Sequence, residues 1–134
     1  MQLDSGNEKP IFIQLAEAVE DYILKGIYAE ETQIPSTTEV AVNLKINPAT
    51  VNHGMNLLVD EGIIYKKRGV GMFVSTGGRE KILARRKQAF FQDFIIPLLE
   101  EAKNLGLSRE DVVGMLNHFD GGATIERRNP DEHN

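Results

Sequence analysis

Near the start of the chain, apolar residues recur at helical spacing. Ile13, Ala16, Val19 and Ile23 fall on one face at about 100° per residue, broadened by Leu15, Tyr22 and Leu24. Glu17, Glu20 and Asp21 lie largely on the other side. The pattern predicts a helix from about Pro10 to Lys25, ended by Gly26, after eight polar and loosely held residues. Tyr28 to Thr32 reads as a loop and Gln33-Ile34 as a brief strand. Ser36-x-x-Glu39 is a capping-box pattern, and it opens a short helix that buries Val40, Ala41 and Leu44. After a break at Lys45-Ile46-Asn47 comes a helix with clear edges. Asn47 is its N-cap, Pro48 its first residue and Gly62 the left-handed residue past its end. Val51, Gly54, Met55 and Leu58 share the inward face of that helix; Ala49, Asn52, His53 and Asn56 share the outward one. Ile63 to Arg68 and Met72 to Val74 read as two strands, with Gly69 and Gly71 in the turn between them.

Helix, tight turn, helix, β-hairpin is the layout of a winged helix-turn-helix, a unit that reads DNA. The fold class expected is therefore mainly α with a small β-hairpin. The outward face of the second helix is neutral and polar, and asparagine is a good bidentate match for adenine in the major groove. An ordinary solvated helix face has the same composition, so this face alone does not decide between them.

Beyond Ser75-Thr76-Gly77-Gly78, which reads as a linker, the pattern becomes helical again from about Arg79 to Leu105. Leu83, Phe90, Phe94, Leu98, Ala102 and Leu105 form one apolar stripe, and Phe91, Ile95 and Leu99 a second beside it. Pro97 inside this pattern is expected to kink or split the helix, and Gly106 closes it. Ser108 caps a last helix with Val112, Val113, Leu116 and Phe119 on its apolar face, stopped by Asp120-Gly121-Gly122. The chain thus divides into a winged domain over residues 1–78, a helical dimerisation segment over 79–120 and a tail over 121–134 with the composition of disorder. Two helices cannot enclose a core alone. A second copy, packing on Phe90, Phe91, Phe94, Ile95, Leu98 and Leu99 across a two-fold axis, would cover this surface. Folding back on the winged domain is the alternative.

Composition complicates the picture. The 134 residues carry a net charge of −5, and acids outnumber bases within residues 1–78 as well, although DNA binders usually show a basic footprint. Placement matters more than the total, because salt screens charges beyond about 8–10 Å. Lys66-Lys67-Arg68 sits in the hairpin, where a wing would meet phosphates. Arg85-Arg86-Lys87 could add backbone contacts, but such a run is more often a solvated face. Cysteine is absent, which excludes a disulfide framework and a thiolate metal site and fits a reducing compartment. No apolar run reaches about eighteen residues, and the first ten lack the basic-then-apolar order of a secretory signal, so the cytoplasm is expected and no membrane partner.

Catalytic chemistry is missing from the pattern. His53, His118 and His133 lack metal-ligand spacing, so no metal is expected, and no cofactor. Asp60-Glu61 and Glu30-Glu31 are adjacent pairs rather than carboxylates converging on a cleft. No serine stands in a nucleophile context. Gly69-Val70-Gly71 lacks the third glycine and the following helix of a nucleotide loop, and reads as a hairpin turn. An enzyme is not expected.

Residues 10–74 carry a further signal. The run Pro10-Ile11-Phe12-Ile13-Gln14-Leu15 is followed by Ile23, Gly26, Ile34-Pro35-Ser36, Glu39, Ala41, Leu44, Thr50-Val51, Leu58 and Glu61-Gly62. Gly69-Val70-Gly71-Met72-Phe73-Val74 completes it. In order and spacing this resembles the DNA-binding domain of the GntR family of bacterial transcription regulators, over about half the chain. The short tail resembles the small YtrA-like branch, whose C-terminal helices dimerise. The resemblance implies a homodimer on double-stranded DNA, acting as a repressor at a paired half-site operator, often of a transporter operon. It implies that Ala49, Asn52, His53 and Asn56 face the major groove. It places Ser36, Thr37, Thr38, Asn47, Thr50 and the hairpin at Lys67, Arg68 and Gly69 on the backbone. No small-molecule effector is identified, since the tail is too short for the large ligand domains of other branches. The chain also departs from the family: arginine is usual where it has Thr38, Pro48 and Asn52. Three cationic contacts are thereby neutral, which predicts weakened DNA binding. With the acidic balance, it keeps open an alternative in which the winged domain serves as a protein-interaction module.

Overall fold

The computed structural model describes residues 1–119, and the expected stop at Asp120-Gly121-Gly122 and the tail lie outside them. The described chain forms two compact units, Met1–Gln88 and Ala89 onward. In the first, α1 (Ile11–Leu24) is followed by β1 (Gln33–Ile34), α2 (Thr37–Leu44), α3 (Pro48–Asp60), β2 (Ile64–Lys67) and β3 (Gly71–Val74). The three strands pair antiparallel in the order β1-β3-β2, with Ile34 opposite Met72 and Ile64 opposite Val74. This is the mainly helical winged helix-turn-helix expected, with β1 added to the hairpin.

The local signals act as their chemistry requires. Ser36 Oγ accepts from the Glu39 amide at 3.1 Å while Glu39 accepts from the Ser36 amide, so both halves of the capping box form. Asn47 Oδ1 accepts from the Ala49 amide at 2.9 Å and caps α3. Lys45 takes a left-handed conformation, φ 55°, and turns α2 into α3. The core is one cluster. Leu15, Val19 and Ile23 of α1 meet Val51, Met55 and Leu58 of α3, and Ile63, Ile64, Met72 and Val74 close it from the sheet. Gly54 is buried where α3 crosses α1; a Cβ there would stand 2.7 Å from the carbonyl oxygen of Phe12 and 3.2 Å from Leu15.

Three expectations need correction. The first eight residues are not loose: Gln14 bonds Asp4 through both its amide N–H and its oxygen, and Met1 and Leu3 pack on the core. Ser75 to Gly78 is not a free linker. Glu31 accepts from the Thr76 amide at 2.9 Å and its hydroxyl at 2.7 Å, Glu30 accepts from the Gly77 amide, and Gly78 is buried against Ile63. Carboxylates suit this place, the positive N-terminal end of α4 (Gly78–Phe90). Finally, Glu20 is not on a solvated face, and Arg85 and Arg86, which keep 41% and 37% of their side chains exposed, are ion-paired rather than free. Glu20 is 3% exposed and pairs with both arginines; Arg85 also holds Glu61, and Arg86 holds Asp21 at 2.8 Å. Ile82 of α4 is wholly buried in the same core. These contacts lie within the first compact unit, which runs to Gln88.

In the second unit the helix continues through a π-helical turn, Phe91–Ile95, into α5 (Ile96–Asn104), and α6 (Arg109–His118) follows. The Ile96 amide bonds the Phe91 oxygen, five residues back. The cause is Pro97, which lacks an N–H and whose ring clashes with the carbonyl four residues earlier; a wider turn relieves both. Gly106, φ 72°, ends α5, and Ser108 with Asp111 forms a second capping box. Of the expected stripe only Ala102 is buried.

The Gly54 contact and the Glu31 bonds can each be tested. Gly54→Ala should lower stability by about 1–3 kcal/mol, because the backbone oxygen it meets moves only with α1. Gly114→Ala on α6, with nothing within 4 Å of its Cβ, should instead stabilise by up to about 1 kcal/mol. Equal unfolding midpoints for the two would contradict the close helix approach. The second test is a titration. The Thr76 hydroxyl first, then the Tyr65 hydroxyl, hold the Glu31 carboxyl below its ordinary 4.5. These bonds are therefore complete above 4.5 and are lost as pH falls through the lowered value. Carbon NMR should place the Glu31 midpoint below 4.5, and Thr76→Val should move it back up.

Candidate nucleic-acid interface

The capping box that starts α2 also prepares its outer end. Ser36 Oγ accepts from Glu39, so its own O–H is left to donate. The first amides of a helix have no intrahelical partner, and they open beside the Thr37 and Thr38 hydroxyls. This donor-rich end forms one wall of a concavity of about 370 Å³. Asn52 of α3 also lines it, and the wing contributes Lys66, Lys67, Arg68 and Gly69.

The wing is held by contacts on the opposite side of the sheet. Tyr65 and Phe73 face each other across β2 and β3 with ring centroids 5.7 Å apart, and Lys67 Nζ lies 5.9 Å from the Phe73 centroid. The Tyr65 hydroxyl donates to Glu31 at 2.6 Å, which pushes the phenol above its ordinary value. Gln33 of β1 donates to the Val70 carbonyl at 3.0 Å and so braces the turn. Gly71 lies hard against that same Gln33 amide, and Gly69 takes φ 76°. Both glycines are thus explained by the hairpin.

Of the residues expected at a DNA surface, Ser36, Thr37, Thr38, Asn52, Lys67, Arg68 and Gly69 converge on this one concavity. Five others do not line it. Asn47 is exposed with its oxygen engaged in the α3 cap, Ala49 is exposed, and Thr50 is half-buried. His53 stacks flat on Phe12 of α1, centroids 3.7 Å apart at 9°. Asn56 Oδ1 accepts from Lys66 Nζ at 2.9 Å. Lys66, noted only as part of the basic run, and Gly71 and Met72 line the concavity although none was among the expected contacts. The alternation of the strand could have found Lys66, since it stands opposite Met72 on the same face of the sheet.

The charge distribution resolves the puzzle of the acidic total. Glu17 pairs with Lys9 at 3.1 Å, and Glu20, Asp21 and Glu61 pair with Arg85 and Arg86. Glu39 is occupied in a cap and Glu31 at the base of the wing. Among the described residues, Lys66, Lys67 and Arg68 form no ion pair. These acids are answered by their own partners, and the wing keeps its positive charge.

Comparison with known proteins agrees with this fold. Residues 13–74 match the family model for bacterial regulatory proteins of the gntR family. A GntR-family transcriptional regulator from Bacteroides thetaiotaomicron is 34% identical, with a TM-score of 0.72 over 82% of this chain and 96% of that one. The transcriptional repressor YtrA of Bacillus subtilis is 29% identical over 82% of this chain and 84% of its own length. The DNA-binding domain of AraR, solved in complex with an operator, superposes on 55% of this chain and 90% of its own, with 26% identity and a TM-score of 0.50. These relatives are regulators, not enzymes.

Proposed function

Since the chain belongs to the GntR family of bacterial regulatory proteins, in its YtrA-like branch, and is a DNA-binding transcription regulator, we propose that it is a repressor that grips a paired half-site operator as a homodimer. The observation that carries the reading is the convergence of the α2 end, Asn52 and the unpaired wing cations on one concavity. In this reading α3 enters the major groove with Asn52 toward the bases. The α2 amides and hydroxyls, with Lys67 and Arg68, take phosphates. AraR, whose DNA-binding domain was solved in complex with an operator, supports duplex DNA as the partner. Such a regulator works in the cytoplasm, and the branch resemblance points to an operon for a membrane transporter. Among the described residues no helix is long and apolar enough to cross a membrane itself.

Dimerisation is supported by the second unit. Phe90, Phe91 and Phe94 are each more than half exposed, and Leu98 and Leu99 stand beside them. Leu98, Ala102, Leu105, Val112, Met115 and Leu116 line an apolar groove of about 280 Å³. So much exposed apolar surface is characteristic of an interface. A two-fold partner would cover it and supply a second recognition helix for a second half-site.

Sedimentation of the full chain at micromolar concentration should give twice the chain mass. Phe94→Glu, at a position already 64% exposed, should give a folded monomer. A wild-type monomer would sink the dimer. For DNA, a duplex selected from a random pool should bind with a linear loss of affinity as salt rises. Lys67→Ala and Arg68→Ala should each weaken all duplexes alike and flatten the log–log slope by about one unit. Unchanged slopes would place the wing off the backbone. Absence of salt-dependent binding to any duplex would turn the reading to a protein-interaction module.

A further inference from the structure

Asn52 and Asn56 stand about one turn apart on α3, and the sequence makes them equivalent readers. The fold does not. Asn52 lines the concavity with no hydrogen-bond partner among the described residues, so its carboxamide offers both an acceptor and donors. Asn56 is held from the wing: Lys66 Nζ lies 2.9 Å from its Oδ1. An ammonium only donates, so the atom facing it must be the oxygen, and the amide cannot be flipped. The Asn56 Nδ2, which makes no hydrogen bond among the described residues, keeps both its hydrogens to donate. The ammonium keeps two further donors, and its charge makes a second donor approaching that oxygen unfavourable.

We propose that Lys66 is a positioning residue for base reading: it locks Asn56 as a hydrogen-bond donor, so the base pair beneath Asn56 is selected for major-groove acceptors. Guanine offers two on one edge, N7 and O6, whereas adenine sets an N6 donor beside its N7. A donor facing the Lys66–Asn56 pair would leave desolvated N–H groups unmatched. Asn52, unconstrained, remains able to pair bidentately with adenine. The inference rests on the proposed entry of α3 into the major groove. It separates two asparagines that the sequence offers alike as matches for adenine.

The test is parallel selection from one random duplex pool with the full-length wild type, Lys66→Met and Lys66→Arg, all checked for equal thermal midpoints. Lys66 is exposed, so neither change disturbs the core. The wild type should select a guanine at one position of each half-site. Lys66→Met keeps the stem but frees the Asn56 oxygen; it should lose roughly tenfold of the guanine-over-adenine preference at that position alone. Lys66→Arg, still a donor, should retain it. Uniform weakening of every duplex by Lys66→Met, with a slope flatter by about one unit, would make Lys66 a phosphate contact and overturn the proposal while leaving DNA binding intact. An unchanged motif in Lys66→Met would also overturn it. Failure of the wild type to select any motif would remove the DNA-reading function itself, and this inference with it.

Discussion

The contact on which the rest depends is the approach of α3 to α1 at Gly54. With no Cβ at that position, α3 can lie against the Phe12 carbonyl and the Leu15 side chain. That approach brings Val51, Met55 and Leu58 into the same cluster as Leu15, Val19 and Ile23. It also fixes which face of α3 is left outside. The exposure of Asn52 is thus a consequence of burial on the opposite side, and the sheet, packed on the same cluster through Ile64, Met72 and Val74, sets the wing beside it. Close packing makes such positions discrete, because a backbone oxygen cannot be displaced without moving its helix.

Electrostatics then separates structural charge from functional charge. A carboxylate as buried as Glu20 would be costly alone, and two guanidinium groups together answer it. The same arginines draw in Asp21 and Glu61, so one network disposes of much of the acidic excess of α1 and joins it to α4. Glu30 and Glu31 settle on the amides that open α4, and Glu31 reaches on to Tyr65 at the base of the wing. What remains without an ionic partner among the described residues is the wing's own Lys66-Lys67-Arg68. Net charge is a poor guide to binding when opposite charges are neutralised at a few ångströms and the rest are screened.

The second unit follows a different logic. Pro97 forces the π-helical turn over Phe91–Ile95, and the change from 3.6 residues per turn shifts the apolar stripes read from the sequence. Phe90 and Phe94 still meet, with ring centroids 5.7 Å apart, yet both remain largely exposed. Two short helices bury little besides Ala102, as expected of a unit too small to enclose a core.

By itself the sequence determined the elements and their ends, because caps, glycines and periodicity act over a few residues. Ser36 with Glu39, Asn47 with Pro48, and the Val51-Gly54-Met55-Leu58 face all behave as their local chemistry dictates. The pattern of residues 10–74 likewise sufficed for the family. Tertiary structure alone decided the fate of the charged and polar side chains, since their partners are distant in the chain. Nothing near Arg85 and Arg86 in the chain named their partners until α4 was laid against Glu20, and Ser75 to Gly78 looked like a linker until Glu30 and Glu31 closed on it. His53 and Asn56 looked alike on the outward face of α3; one is stacked on Phe12 and the other tied to Lys66. A hydrophobic period reports which side of a helix is buried, but a hydrogen bond or ion pair requires two particular atoms within about 3 Å, and only the folded chain brings them there.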